Sequence, residues 1–163
     1  MRACIIPLFF VALSLCAVAS DTEETQRCGQ SRANVLNRSE FEMMMNEVAS
    51  GWNQNDAHRA ASCFTEDASY SSVPNPKSRK GRLDLYQWFG GAHGRPKPMK
   101  MEWHHLIFDP EQQIGVGEYT FKYEVQTHGM VIVKFKNGLI SNGREYEKES
   151  PKSWTELCGE NCF

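Results

Sequence analysis

Three side chains of this 163-residue chain are the foremost candidates to move a proton: His105, Glu145 and Tyr119. An imidazole titrates near neutrality, so His105 is the first candidate acid or base. Glu145 becomes an acid at neutral pH if its surroundings exclude water. Tyr119, or Tyr70 in its place, can donate a hydrogen bond to a carbonyl oxygen. His104 and His105 are neighbours, so on a strand they face opposite ways, and parity with Trp103 selects His105 as the inward one. Glu145 has an alternative reading, in which it pairs with Arg144 or Lys134 on an outer face.

Other chemistries find less footing. His105 and His128 with Glu118 or Glu145 imitate a two-histidine, one-carboxylate metal site, but the histidines fall on different strands with no fixed spacing. No paired C-x-x-C spacing suggests zinc. Gly115-Val116-Gly117 lacks the third glycine and the helix of a dinucleotide loop, and no G-x-S-x-G is present. The expectation is therefore no metal and no cofactor.

These groups need strands to hold them. From Gly115 to Val125 one face carries Tyr119, Phe121, Tyr123 and Val125, the other Glu118, Thr120, Lys122 and Glu124. Such alternation marks a sheet with one aromatic side and one wet side. Gly129 to Phe135 is a second run, and Asn137-Gly138 turns the chain into a third, Leu139 to Tyr146. Earlier, Phe41, Met44, Met45, Val48 and Trp52 recur at helical intervals behind Ser39, a candidate N-cap with Glu42 three residues on. Asp56 caps a second short helix, Ala57 to Phe64, with Cys63 as a buried apolar residue. Ala68 to Val73 reads as a strand, Pro74 to Lys80 as a loop, and Gly81 precedes a third helix, Arg82 to Phe89. Gly90 to Pro98 is rich in breakers, and Met99 to Phe108 is a strand. Helices first and an antiparallel meander after predict an α+β fold whose sheet curls over helices around an apolar cavity.

Residues 1–20 read as a signal peptide: Arg2, an apolar run from Ile5 to Val18, and the small-x-small site Ala17-Val18-Ala19. Cleavage there predicts an exported protein, with no later stretch long enough to span a bilayer. Residues 21–38 read as a flexible segment, 39–150 as the domain, and 151–163 as a tail packed on it. The formal net charge of −2 carries no basic excess, which argues against nucleic acid. Four cysteines follow the leader. Cys28 is expected to bond Cys158 or Cys162 and staple the two tails. Asn37-Arg38-Ser39 is a glycosylation sequon.

The local words add a resemblance. Trp52-Asn53-Gln54-Asn55-Asp56, then Cys63-Phe64-Thr65-Glu66-Asp67-Ala68, Gly81-Arg82, the run GEYTF, His128-Gly129, Asn137-Gly138-Leu139-Ile140, Arg144-Glu145-Tyr146 and the closing WTELCGENCF resemble the nuclear transport factor 2-like superfamily. They are similar above all to its SnoaL-like subgroup, over roughly residues 40–163. The resemblance implies a cone: a curved mixed sheet wrapped over three N-terminal helices, often paired as a homodimer. It places Met45, Val48, Trp52, Tyr70, Trp88, Phe89, Met101, Trp103, His105, Tyr119, Phe121, Tyr123, Met130 or Val131, and Glu145 around the pocket. It also places Ser72 (or Ser71) where ketosteroid isomerase keeps its basic aspartate, Met130 or Val131 at the oxyanion-hole aspartate, and Val48 near the oxyanion-hole tyrosine. With those three groups replaced, isomerisation by that route is disfavoured. A secreted protein that binds a small hydrophobic molecule is the expectation. Its chemistry would be cofactor-free acid/base work through His105, Glu145 and a tyrosine; a non-catalytic carrier or sensor and a dimeric interaction module are the alternatives.

Overall fold

The computed structural model describes residues 35–73 and 78–162. The leader, Cys28 and most of the N-terminal segment lie outside the described residues. Helix α1 runs Arg38–Asn53, α2 Ala57–Ser62, and α3 Arg82–Phe89. The strands are β1 Phe64–Val73, β2 Ser78–Lys80, β3 Lys100–Asp109, β4 Ile114–Lys122, β5 Gln126–Lys136 and β6 Leu139–Glu149. A last short helix, α4, spans Trp154–Cys158. They form one six-stranded sheet in the order β2-β1-β6-β5-β4-β3. β1 and β6 pair in parallel and every other pair is antiparallel.

Helix α1 forms because its apolar residues recur every three or four positions and its first turn is capped. The cap is Asn37, not Ser39: the Asn37 side chain accepts from the Glu40 amide and Glu40 returns to the Asn37 amide. Both serine and asparagine cap well, and the one that closes a reciprocal box with an acid three residues on wins. Asn37, the sequon residue, is exposed there. The buried stripe of α1, from Phe41 through Met45 and Val48 to Trp52, lies on the concave face of the sheet.

The N-terminal segment is not loose up to residue 38. Leu36 is buried, and its backbone exchanges hydrogen bonds with the Gln113 side chain at 2.8 and 2.9 Å. Phe64 does not end α2; it opens β1, which is longer than expected because the parallel ladder with β6 already begins at Phe64↔Ile140. The expected loop from Pro74 to Lys80 ends in β2, which pairs with β1.

The cysteine pairing also differs. Cys158 and Cys162 bond with each other, so neither staples the tail to Cys28. A turn of α4 and the 3-10 turn that follows bring two cysteines four residues apart into reach, and closing so short a loop costs little chain entropy. Cys63 is fully buried but also disulfide-bonded, and its partner lies outside the described residues. Among the described residues no helix is long and apolar enough to cross a membrane.

Candidate active site

Between the helices and the concave face lies a cavity of about 240 Å³. Met45, Val48 and Trp52 of α1 form one wall, Trp88 and Phe89 of α3 a second, and Met101 and Trp103 of β3 a third. Tyr119, Phe121 and Tyr123 come from β4 and the residue after it, and Tyr70 from β1. The rings are fixed against one another: Trp52 meets Trp88 edge-on at 5.3 Å and Phe121 at 5.1 Å. The Trp103 indole donates to the Met45 carbonyl at 2.9 Å, so its one polar atom is satisfied and its ring faces the void.

One patch of this apolar wall is polar. On β6, Gly143, Glu145 and Glu147 share the inner face, and Glu145 is only 8 % exposed. The Tyr119 hydroxyl donates to one of its oxygens and the Ser72 hydroxyl to the other, at 2.7 Å for the serine. Tyr70 is a further hydrogen-bonding neighbour. Burial pushes the Glu145 carboxyl up; Tyr119 and Ser72 draw it back, Glu147 pushes it up again, and the net shift is upward. Burial, with the Glu145 charge beside it, pushes the Tyr119 phenol up, so it stays a donor. Tyr70 is raised by the same causes.

Glycines make this meeting possible. Tyr119 stands on β4 and Glu145 on β6, with Gly129 of β5 between them. A Cβ at Gly129 would lie 2.6 Å from the Tyr119 hydroxyl, so only a bare backbone lets the phenol cross β5. Gly143 does the same for Tyr70, whose ring occupies the space a Cβ would need.

His105 is not in the cavity. The β3–β4 register slips between Trp103 and His105, so His104 is an extra residue in the ladder. Beyond this bulge parity reverses: Leu106 lies at Gly117 beside the Trp103 ring, Phe108 stacks on Phe41, and His105 turns to the outer face. There its Nδ1 meets Glu118 at 2.7 Å. His104 shares the Thr120 hydroxyl with His128, and all three imidazoles gather round Trp154, on which His104 stacks at 4.1 Å. His128 also meets the Lys152 carbonyl at 2.8 Å. Of the two alternatives on β5, Val131 lines the cavity and Met130 is partly exposed on the outside.

Sequence reasoning misses two polar residues of the site, Glu147 and Arg95, and the partner of a third. Ser72, which the resemblance puts at a catalytic position, is partnered by Glu145, beside it in the parallel ladder. Glu147 follows from Glu145 by period two alone. Arg95 lines the cavity from a loop, where no periodicity points to it.

The family model described as SnoaL-like domain matches residues 46–142. The chain belongs to the SnoaL-like domain family. No curated protein matches the sequence significantly. Among solved structures, an NTF-2 like protein of unknown function from Burkholderia xenovorans is similar at 16% identity and TM-score 0.60, over 73% of this chain and 92% of that one. An LEH-like epoxide hydrolase of M. tuberculosis is similar at 16% identity and TM-score 0.58, over 68% and 84%. SalBIII, an epoxide hydrolase/cyclase-like enzyme with a role in pyran ring formation in salinomycin, is similar at 15% and 0.57, over 69% and 93%. At these identities the likeness shows a shared fold. The SnoaL-like fold of this chain is thus one associated with isomerase-, cyclase- and epoxide hydrolase-like enzymes.

Proposed function

We propose that the cone cavity binds a small, largely apolar molecule with one oxygen function, and that Glu145 performs cofactor-free acid/base chemistry on it. One observation carries this reading: a carboxyl group buried in an apolar wall, its proton affinity shifted upward by that burial, and held by two hydroxyl donors. Such a group sits nearer the pH at which it both accepts and returns a proton. Glu145 takes a proton from the substrate and gives it back elsewhere; Tyr119 donates to the Glu145 oxygen or to the substrate oxygen on which charge develops. Isomerisation, dehydration and ring closure are outcomes of that exchange. The cavity lies below the roughly 300–1,000 Å³ usual for drug-sized ligands, which favours a compact substrate.

A second reading has its own support. Ser72 and Tyr119 both spend their protons on Glu145, which suits a carrier in which the carboxylate merely anchors a ligand hydroxyl. Native mass spectrometry of protein purified from its host tests both readings: a co-purifying small molecule supports binding, and its conversion by wild type but not by Glu145→Gln supports catalysis. Recovery of empty protein that also fails to take up apolar probes would overturn the proposal. Export is supported by the leader-like residues 1–20 and the Cys158–Cys162 disulfide.

A further inference from the structure

We propose that the ligand of this cavity is an apolar carboxylic acid, its carboxylate received by Arg95 while its uncharged end meets Glu145 and Tyr119. This rests on the cavity being a binding site, as proposed above, and adds the class of molecule it takes.

Arg95 is half-buried and lines the cavity. None of the ion pairs among the described residues involves it. Its Nε is buried and has no hydrogen-bond partner. A half-buried guanidinium beside aromatic rings, with no carboxylate in ion-pair contact among the described residues, is costly, and an unpartnered buried donor needs an explanation. The second cation near the aromatic walls, Arg79, lies 6.0 Å from the Trp88 ring but has Asp84 at 3.7 Å. Arg95 has no such partner among the described residues.

The surroundings of Arg95 are built to hold it. Its backbone amide donates to Asn55 Oδ1 at 2.8 Å, and Asn55 Nδ2 donates to its carbonyl at 3.0 Å. Asn55 itself sits in the left-handed region at φ 56°, a conformation asparagine tolerates better than most residues. The guanidinium donates to the Trp88 carbonyl and lies 5.7 Å from the Tyr123 ring, both residues of the cavity wall. Backbone clamp, carbonyl and ring leave few rotamers, so the cation is positioned before any ligand arrives. A planar fork held in this way matches a carboxylate.

Glu147 opposes this. It lines the same cavity from β6, two residues from Glu145, and repels an anion. The pair of carboxyls on β6 therefore directs the acid's headgroup away from that strand and toward Arg95, leaving the uncharged end against Glu145.

The test uses the full secreted chain and matched probes, 3-phenylpropionate with 3-phenylpropionamide and cinnamate with cinnamamide, followed by calorimetry. Wild type is expected to bind each acid about tenfold or more tighter than its amide, the size of a charge-assisted hydrogen-bonded pair. Arg95→Gln should bring the ratio of acid to amide affinity to about one, Arg95→Lys should keep part of the preference, and Glu147→Gln should enlarge it. Melting curves of each variant establish that it is folded. Equal binding of acid and amide by wild type overturns this inference alone and leaves the cavity as a site for neutral molecules. An unchanged ratio in folded Arg95→Gln also overturns it. Failure of every probe to bind overturns it together with the binding reading.

Discussion

The Tyr119 hydroxyl of β4 reaches the Glu145 carboxyl of β6 by crossing directly over Gly129, a residue of the strand between them. The contact depends on a missing side chain. Gly129→Ala places a methyl 2.6 Å from that hydroxyl and 2.8 Å from the Tyr146 carbonyl. The expected result is a loss of about 1–3 kcal/mol, the usual cost of overpacking, measured by urea denaturation. With the Tyr119 donor displaced, the Glu145 carboxyl should titrate higher still, readable by carboxyl-carbon NMR.

Glu145 gives stability an unusual pH slope. Its folded-state affinity for a proton is raised from an ordinary value of 4.5. Between the unfolded and folded values the native state holds more protons than the unfolded chain, so stability falls as pH rises through that window and levels off above it. Glu145→Gln should remove this component: the difference in unfolding free energy between wild type and variant should shift against wild type from about pH 4.5 upward. A difference flat with pH would mean the carboxyl is not buried as described.

His105 should be dispensable for the chemistry. It lies on the outer face against Glu118, both partly exposed. His105→Ala is expected to leave turnover and ligand affinity within about twofold and to cost no more than about 1 kcal/mol, the range for a partly exposed ion pair. A large fall in turnover would place the imidazole back in the mechanism.

The tail should loosen in mild acid. Burial lowers the His104 imidazole below its ordinary 6.5, ahead of the raising effect of Glu102 and Glu118 and the lowering effects of His128 and His105. A group so depressed supports the fold above 6.5, and that support is lost as pH falls through its folded value. Protection factors of the α4 amides, taken relative to intrinsic exchange at each pH, should therefore fall below pH 6.5, since Trp154 stacks on His104, and fall less in His104→Gln.

Peptide mapping without reduction checks the cysteines. Trypsin leaves Cys158 and Cys162 on one fragment that begins at Ser153, because no lysine or arginine lies between Lys152 and Cys162. It should weigh two hydrogens less than its reduced form. Cys63 should appear in a second linked peptide, separate from the one that carries Cys158 and Cys162.

Much of this was legible in the residues. The alternation around Tyr119 and the stripe from Phe41 to Trp52 are periodic signals with one buried face each, and both elements lie where that pattern puts them. Their ends moved for local reasons that periodicity does not register, such as the Asn37–Glu40 box and the early ladder at Phe64. Of the proton-moving groups, Tyr119 and Glu145 meet in the cavity and His105 does not. Parity holds along a strand only while the ladder is regular, and one extra residue at His104 inverted everything beyond it. The pairing of Ser72 with Glu145 depends on a parallel register between residues 73 apart in sequence, and Arg95 on a loop clamp; neither leaves a repeating trace in the chain.

β6 lies third from one edge of the sheet, hydrogen-bonded on both flanks, whereas Arg95 rides on a breaker-rich connection. Glu145 is thus rooted in a ladder paired on both sides, whereas Arg95 depends on the Asn55 clamp and on glycines at 90, 91 and 94 whose positive φ other residues rarely adopt. The floor and the rim of the chamber are therefore held by different means, one by strand pairing and the other by a loop conformation, and a change at Asn55 or Gly94 is expected to move Arg95 while leaving β6 in place.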